Sequence, residues 1–229
     1  MKYSVKHLLL ALGALIVMPG VNADGDPEAG AEKVAVCAAC HGQDGNSPAP
    51  DFPKLADLGE PYLYKQLKDI QAWDKAQGEA KATTGRAVPQ MTGQLIGKSD
   101  QDLQDIAAFY ASQSMQLSGA EEMTVQIYTG EQVNALELGE RIYRAGNPET
   151  GVPACVGCHL PTGLGNEPAA FPRLGGQYPK YIETQLRAFR AGERTNDGDQ
   201  MMMRMTAKNL SDAEIKAVAN YIGGLNAGN

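Results

Sequence analysis

Two tandem all-α units of one repeated pattern are expected from this chain, on three observations. The pentad Cys37-Ala38-Ala39-Cys40-His41 returns as Cys155-Val156-Gly157-Cys158-His159. Each pentad is followed by a glycine- and proline-rich passage: Asp44-Gly45-Asn46-Ser47-Pro48 with Phe52-Pro53-Lys54-Leu55, then Leu164-Gly165-Asn166-Glu167-Pro168 with Phe171-Pro172-Arg173-Leu174. Each half then closes on an amphipathic helical pattern behind a capping sequence, Ser99-Asp100-Gln101-Asp102 or Ser211-Asp212-Ala213-Glu214. A chance pentad would not bring its loop and helices with it, so the repeat argues more strongly than either pentad alone.

The elements follow in order. Lys2 and Lys6 precede the apolar run Leu8 to Met18, and the small residues Val21 and Ala23 stand before Asp24, which reads as a secretory signal over residues 1–23. The run is shorter than the ~20 residues of a permanent membrane helix. The first unit is expected over 24–115. It opens with Asp26-Pro27-Glu28, an N-cap, a proline at the first helical position and an acid in the first turn, on a helix running toward Cys37.

After the loops, Tyr62, Tyr64, Gln66 and Leu67 begin a helix that continues through Ile70, and Leu103, Ile106, Ala107 and Tyr110 face inward from the closing helix. Ser112 to Gln132 shows little periodicity and reads as the connection, so the second unit is set at 116–229, starting with this linker. Asn134-Ala135-Leu136-Glu137 opens its first helix as a capping box, with Leu138, Ile142 and Tyr143 on the apolar face. Gly146 to Gly151 forms a loop that the first half lacks. Tyr181, Thr184, Gln185 and Leu186 answer the first unit's third helix, and Ile215, Val218, Ala219 and Ile222 its last. Gly30 and Gly139 suit a close crossing of each unit's first and last helices.

The chemistry lies in the pentads. Two cysteines three apart followed at once by histidine form the c-type haem attachment pattern, in which both thiols become thioethers and the imidazole reaches the iron. All four cysteines of the chain lie in the two pentads, and two of its three histidines complete them, the third being His7 in the signal segment. Disulfides or redox dithiols leave the paired histidines unexplained, and a zinc ribbon needs knuckles ~15–20 residues apart, whereas Cys40 and Cys155 are more than a hundred apart. Cys37, Cys40, Cys155 and Cys158 are therefore expected to hold two covalent haems, with His41 and His159 as axial ligands. Pro48 and Pro168 are candidates to offer each imidazole a backbone carbonyl, which would fix its tautomer.

No histidine remains for the other face of either iron, which leaves a methionine, a weaker donor or an open position. In the first half Met91 precedes the closing helix, whereas Met115 and Met123 follow it. In the second half Met201, Met202, Met203 and Met205 compete. Met91 stands eight residues before Ser99 and Met203 eight before Ser211, which favours Met203 and keeps Met202 as the alternative.

These residues, with Met91-Thr92-Gly93, Pro153-Ala154-Cys155 and Arg194-Thr195-Asn196-Asp197-Gly198-Asp199, resemble the di-haem cytochrome c4 family over nearly the whole mature chain. The resemblance implies two class I cytochrome c domains related by an approximate twofold, haems facing one another, His/Met ligation, and periplasmic electron delivery toward terminal oxidases.

Three functions compete. An electron carrier between a membrane donor and an acceptor such as a terminal oxidase needs no substrate chemistry. A di-haem peroxidase needs an open iron and an acid–base group, and the mature chain has no histidine outside the pentads for that role. A cytochrome subunit of a dehydrogenase complex needs another chain for catalysis, since no nucleotide-binding glycine motif is present. The electron carrier, not an enzyme, is the expectation. Removing Lys2 and Lys6 leaves 18 basic against 27 acidic side chains, a charge of −9, which argues against nucleic acid. Redox proteins are the expected partners, and loose peripheral membrane association stays open.

Overall fold

The computed structural model describes residues 25–226; the signal segment and His7 lie outside the described residues. The first unit runs α1 (Pro27–Ala31), α2 (Ala35–His41), α3 (Glu60–Lys75), α4 (Ala80–Thr83), a 3₁₀ turn (Pro89–Met91) and α5 (Asp100–Ala111). A short antiparallel hairpin follows, β1 (Thr124–Gln126) on β2 (Gln132–Asn134), in register Val125 to Val133. The second unit continues with α6 (Ala135–Ala145), α7 (Val156–His159), a 3₁₀ turn (Glu167–Ala169), α8 (Pro179–Ala191), α9 (Met202–Ala207) and α10 (Asp212–Gly224).

The caps form where their side chains allow. Asp26 accepts from the amides of Glu28 and Ala29, with Pro27 at the first helical position. Ser99 and Asp102 make a complete capping box on α5, as do Ser211 and Glu214 on α10, each answering two otherwise orphaned amides. The capping box expected over Asn134–Glu137 is only half made: Asn134 accepts from the amides of Leu136 and Glu137 and caps α6 on its own, since Glu137 does not return a bond to the Asn134 amide.

Two sequence expectations need correction. The single helix expected to reach Cys37 is two, α1 and α2: the chain turns at Glu32–Val34, where the Lys33 amide bonds the Gly30 carbonyl and Val34 drops into the core. The linker is not featureless, because Val125 is buried against the second core and pins the hairpin there. Three-residue strands are too short to show an alternating pattern in sequence.

In each unit the first helix crosses the last at a glycine. A Cβ on Gly30 would stand 2.1 Å from the Asp105 carbonyl oxygen of α5, and one on Gly139 would stand 2.2 Å from that of Ala217 on α10. Around these crossings lie two cores: Val34, Leu58, Leu63, Ile106 and Tyr110 in the first unit, and Leu138, Ile142, Tyr143, Ile215 and Ile222 in the second. Each crossing leaves the pentad helix, α2 or α7, beside its core, with the histidine buried and turned inward.

Candidate haem sites

In the first unit α2 carries Cys37, Cys40 and His41, and ends at Gly42, whose φ of +79° only glycine adopts freely. His41 is buried, and its Nδ1 lies 2.9 Å from the Pro53 carbonyl oxygen. A carbonyl only accepts, so Nδ1 carries the proton and Nε2 keeps its lone pair. Burial lowers the imidazole pKa, partly opposed by the Pro53 bond, so the ring is neutral and suited to a metal.

The second unit repeats this. Cys155 caps α7, Cys158 and His159 lie on it, and the buried His159 places Nδ1 2.9 Å from the Pro172 carbonyl oxygen. Burial lowers the His159 pKa in the same way. Phe52 and Phe171 stand beside the two rings, each 6.2 Å between centroids. The Tyr143 hydroxyl donates to the Leu160 carbonyl at 2.7 Å, steadying the turn after His159.

The carbonyls thus come from Pro53 and Pro172, not from Pro48 and Pro168. Gly42 and Gly45 turn the loop back on itself, and Leu55 and Ala56 donate to the Gly45 carbonyl, which brings the later proline against the ring. Pro48 sits instead in a turn where the Ser47 hydroxyl donates to the Cys40 carbonyl. A signal was present: Phe-Pro followed by a cation and leucine recurs 12 and 13 residues after the histidines, a nearly constant offset.

All four cysteines are unpaired. Burial raises the Cys37 thiol pKa and pushes that of Cys155 up to about 11. Among the described residues no three His, Cys, Asp or Glu side chains converge as a metal cluster.

Met91 is half-buried beside Ile70, Leu95 and Leu103. Met203 is half-buried against the second core, on the short helix α9, while Met202 and Met205 are 48% and 54% exposed.

A cavity of about 830 Å³ opens in the first unit, bounded by Cys37, Cys40 and His41 on one side and Met91 on another, with Leu55, Leu63, Leu67 and Ile106 among its apolar walls. Its far edge is polar and shared by both units. Arg86 donates to Gln66 at 2.9 Å, Gln185 at 3.0 Å and the Tyr181 hydroxyl at 3.1 Å; Arg194 donates to Gln185 at 2.7 Å, Gln66 at 2.9 Å and the Tyr62 hydroxyl at 3.3 Å. The two guanidiniums thus trade the same glutamines in an approximate twofold. Among the described residues neither hydrogen-bonds a carboxylate. Burial alone would raise the Tyr181 pKa, but Arg86 and Arg194 outweigh it and lower it. Apolar walls, a neutral imidazole with a free nitrogen and a cationic edge fit a flat apolar macrocycle with anionic substituents. Sequence reasoning missed the arginine pair, because Arg86 and Arg194 lie outside the repeated motifs and meet only when the units pack.

The cytochrome c family model matches residues 27–114 and again 122–226. The chain is 50% identical over 218 residues to a cytochrome c4 of Stutzerimonas stutzeri, covering 95% of this chain and 96% of that one. It is 48% identical over 225 residues to a cytochrome c4 of Azotobacter vinelandii, covering 98% and 100%. The crystal structure of reduced recombinant cytochrome c4 from Pseudomonas stutzeri superposes with a TM-score of 0.79 at 51% identity, covering 88% of this chain and 99% of that one. Two matched units, the full-length similarity and the doubled histidine geometry together place the chain in the cytochrome c4 family, as a di-haem electron-transfer protein with one covalent c-type haem in each unit.

Proposed function

We propose that the protein shuttles single electrons between redox proteins of the periplasm, with a membrane complex as donor and a terminal oxidase as acceptor. Cys37 and Cys40 attach the first haem and Cys155 and Cys158 the second. His41 and Met91 are the axial ligands of one iron, and His159 and Met203 of the other. Residues 1–23 direct export and are removed, and the units divide between Met115 and Gln116.

The observation that carries the ligand reading is the pair of buried imidazoles, each tied through Nδ1 to a proline carbonyl so that Nε2 is left for iron. Burial supports Met203 over Met202, since a ligand must face inward. Haem iron supplies the one-electron exchange; this chain's residues hold it saturated and screened from water, so no ligand has to leave during transfer. The division after Met115 draws support from that residue packing with the first core, while Ser118 already bonds Gly176 of the second unit. Among the described residues no helix is long and apolar enough to cross a membrane.

Acid–acetone extraction followed by intact mass measurement tests the attachment. The expected result is a mature chain from Asp24 carrying two haems and no free thiol; release of either haem into the acetone would refute the covalent reading for that unit. Saturation is tested with carbon monoxide. The native ferrous protein is expected to bind none at neutral pH and to show negligible peroxidase turnover, whereas stoichiometric binding would transfer the weight to the peroxidase reading. With a charge of −9 before any haem carboxylates, association with a basic partner should slow as salt rises, exposed charges being screened over ~10 Å at 0.1 M.

A further inference from the structure

The carbonyl that accepts the His41 hydrogen bond belongs to a peptide unit held from the other domain. Pro53 C=O and Lys54 N–H are two ends of one amide. While the carbonyl accepts from His41 at 2.9 Å, the N–H donates at 3.0 Å to Oε1 of Gln177, 123 residues away in the second unit. Gln177 is 1% exposed. Its Oε1 also accepts from the Tyr178 amide at 3.0 Å, and its Nε2 donates to the Lys54 carbonyl at 2.8 Å. Only one orientation of the side-chain amide satisfies all three bonds, so the acceptor faces the Lys54 N–H.

We infer that Gln177 is a positioning residue that tunes the first haem across the domain interface, through the chain Gln177, Lys54–Pro53 peptide, His41. This rests on His41 being the axial ligand. A peptide whose N–H is engaged carries more negative charge on its carbonyl oxygen, because linked hydrogen bonds polarise one another by about 10–30% per bond. A stronger acceptor at Nδ1 makes the imidazole more basic at Nε2, which favours ferric over ferrous iron. Among the described residues the matching peptide beneath His159 has no such bond at its Arg173 N–H. With Phe52-Pro53-Lys54-Leu55 aligned on Phe171-Pro172-Arg173-Leu174, the residue matching Gln177 is Leu58, which is buried and has no polar atom to offer. Two identical ligand sets are thereby made unequal by one glutamine.

The test uses the full holoprotein with Q177L, which gives the second unit the leucine of the first, and Q177E, which retains an oxygen acceptor. In Q177L the ferric-to-ferrous balance of the first haem should shift about threefold toward ferrous, ~30 mV at ~59 mV per tenfold for one electron. The His41 Nδ1–H resonance should move upfield, the Lys54 amide should exchange faster with solvent, and His159 and its haem should stay unmoved. Q177E should move the first potential the opposite way. Equal shifts at both haems in Q177L, or a faster Lys54 amide with an unmoved His41 resonance and potential, would overturn the proposal by reducing Gln177 to an interface contact. If the His41 ring protons of the native ferrous protein lack strong haem ring-current shifts, the ligand assignment itself has failed, and the proposal with it.

Discussion

Met91→Ala and Met203→Ala are each expected to lower the potential of one haem by about 0.2 V, a fraction of the ~0.8 V that axial ligands command. A thioether is a soft donor that favours ferrous iron, so replacing it with water or an empty position removes that preference. Each variant should also lose one methionine-to-ferric charge-transfer band and gain carbon monoxide binding at the altered haem alone. The sharper comparison is with Met202. Met203 is half-buried against the second core, whereas Met202 is 48% exposed one residue earlier on α9. Met202→Ala should therefore leave both spectra and both potentials intact. If Met202→Ala changes the second haem and Met203→Ala does not, the ligand assignment passes to Met202.

Gly139→Ala should destabilise the second unit by about 3 kcal/mol, the upper range for overpacking a close contact. The added methyl would lie 2.2 Å from the Ala217 carbonyl oxygen and 2.8 Å from the Tyr221 Cβ. Both obstacles are on or next to the backbone of α10, so no side-chain rotation relieves the clash and α6 has to move away. Gly30→Ala meets the Asp105 carbonyl oxygen at 2.1 Å and should do the same to the first unit. A loss of that size corresponds to a fall in Tm of about 10 °C or more for a domain near one hundred residues. Thermal melts followed by far-ultraviolet circular dichroism and by the haem absorbance would show it. A change within about 0.5 kcal/mol, as at an ordinary surface position, would mean the crossings are looser than described.

The helix starts were legible because a cap is a local device: Asp26, Asn134, Ser99 and Ser211 each bind amides two or three residues away. The glycine crossings were legible for another reason, since the repeat placed Gly30 and Gly139 alike on helices whose partners could be named. What escaped was set by distance in sequence. Pro53 and Pro172 could be recognised as repeated but not as the carbonyls that reach the rings, because the path of the loop depends on the turns at Gly42 and Gly45. The break between α1 and α2 depends on the packing of Gly30 and Val34. Arg86, Arg194 and Gln177 make their telling contacts 95 to 132 residues away, beyond any local pattern.

The traded glutamines also bear on the order of assembly. As the exported chain emerges into the periplasm amino terminus first, the first unit precedes Tyr181, Gln185 and Arg194, which close the far edge of its cavity. Until they arrive, Arg86 faces water and the Lys54 peptide has no clamp. The amino-terminal half alone lacks the side chains of Tyr181, Gln185 and Arg194 that complete the wall beside Gln66. The later half acts on the earlier one as a built-in template, and the first pocket reaches its final shape only after the segment from Gln177 to Arg194 has packed against it.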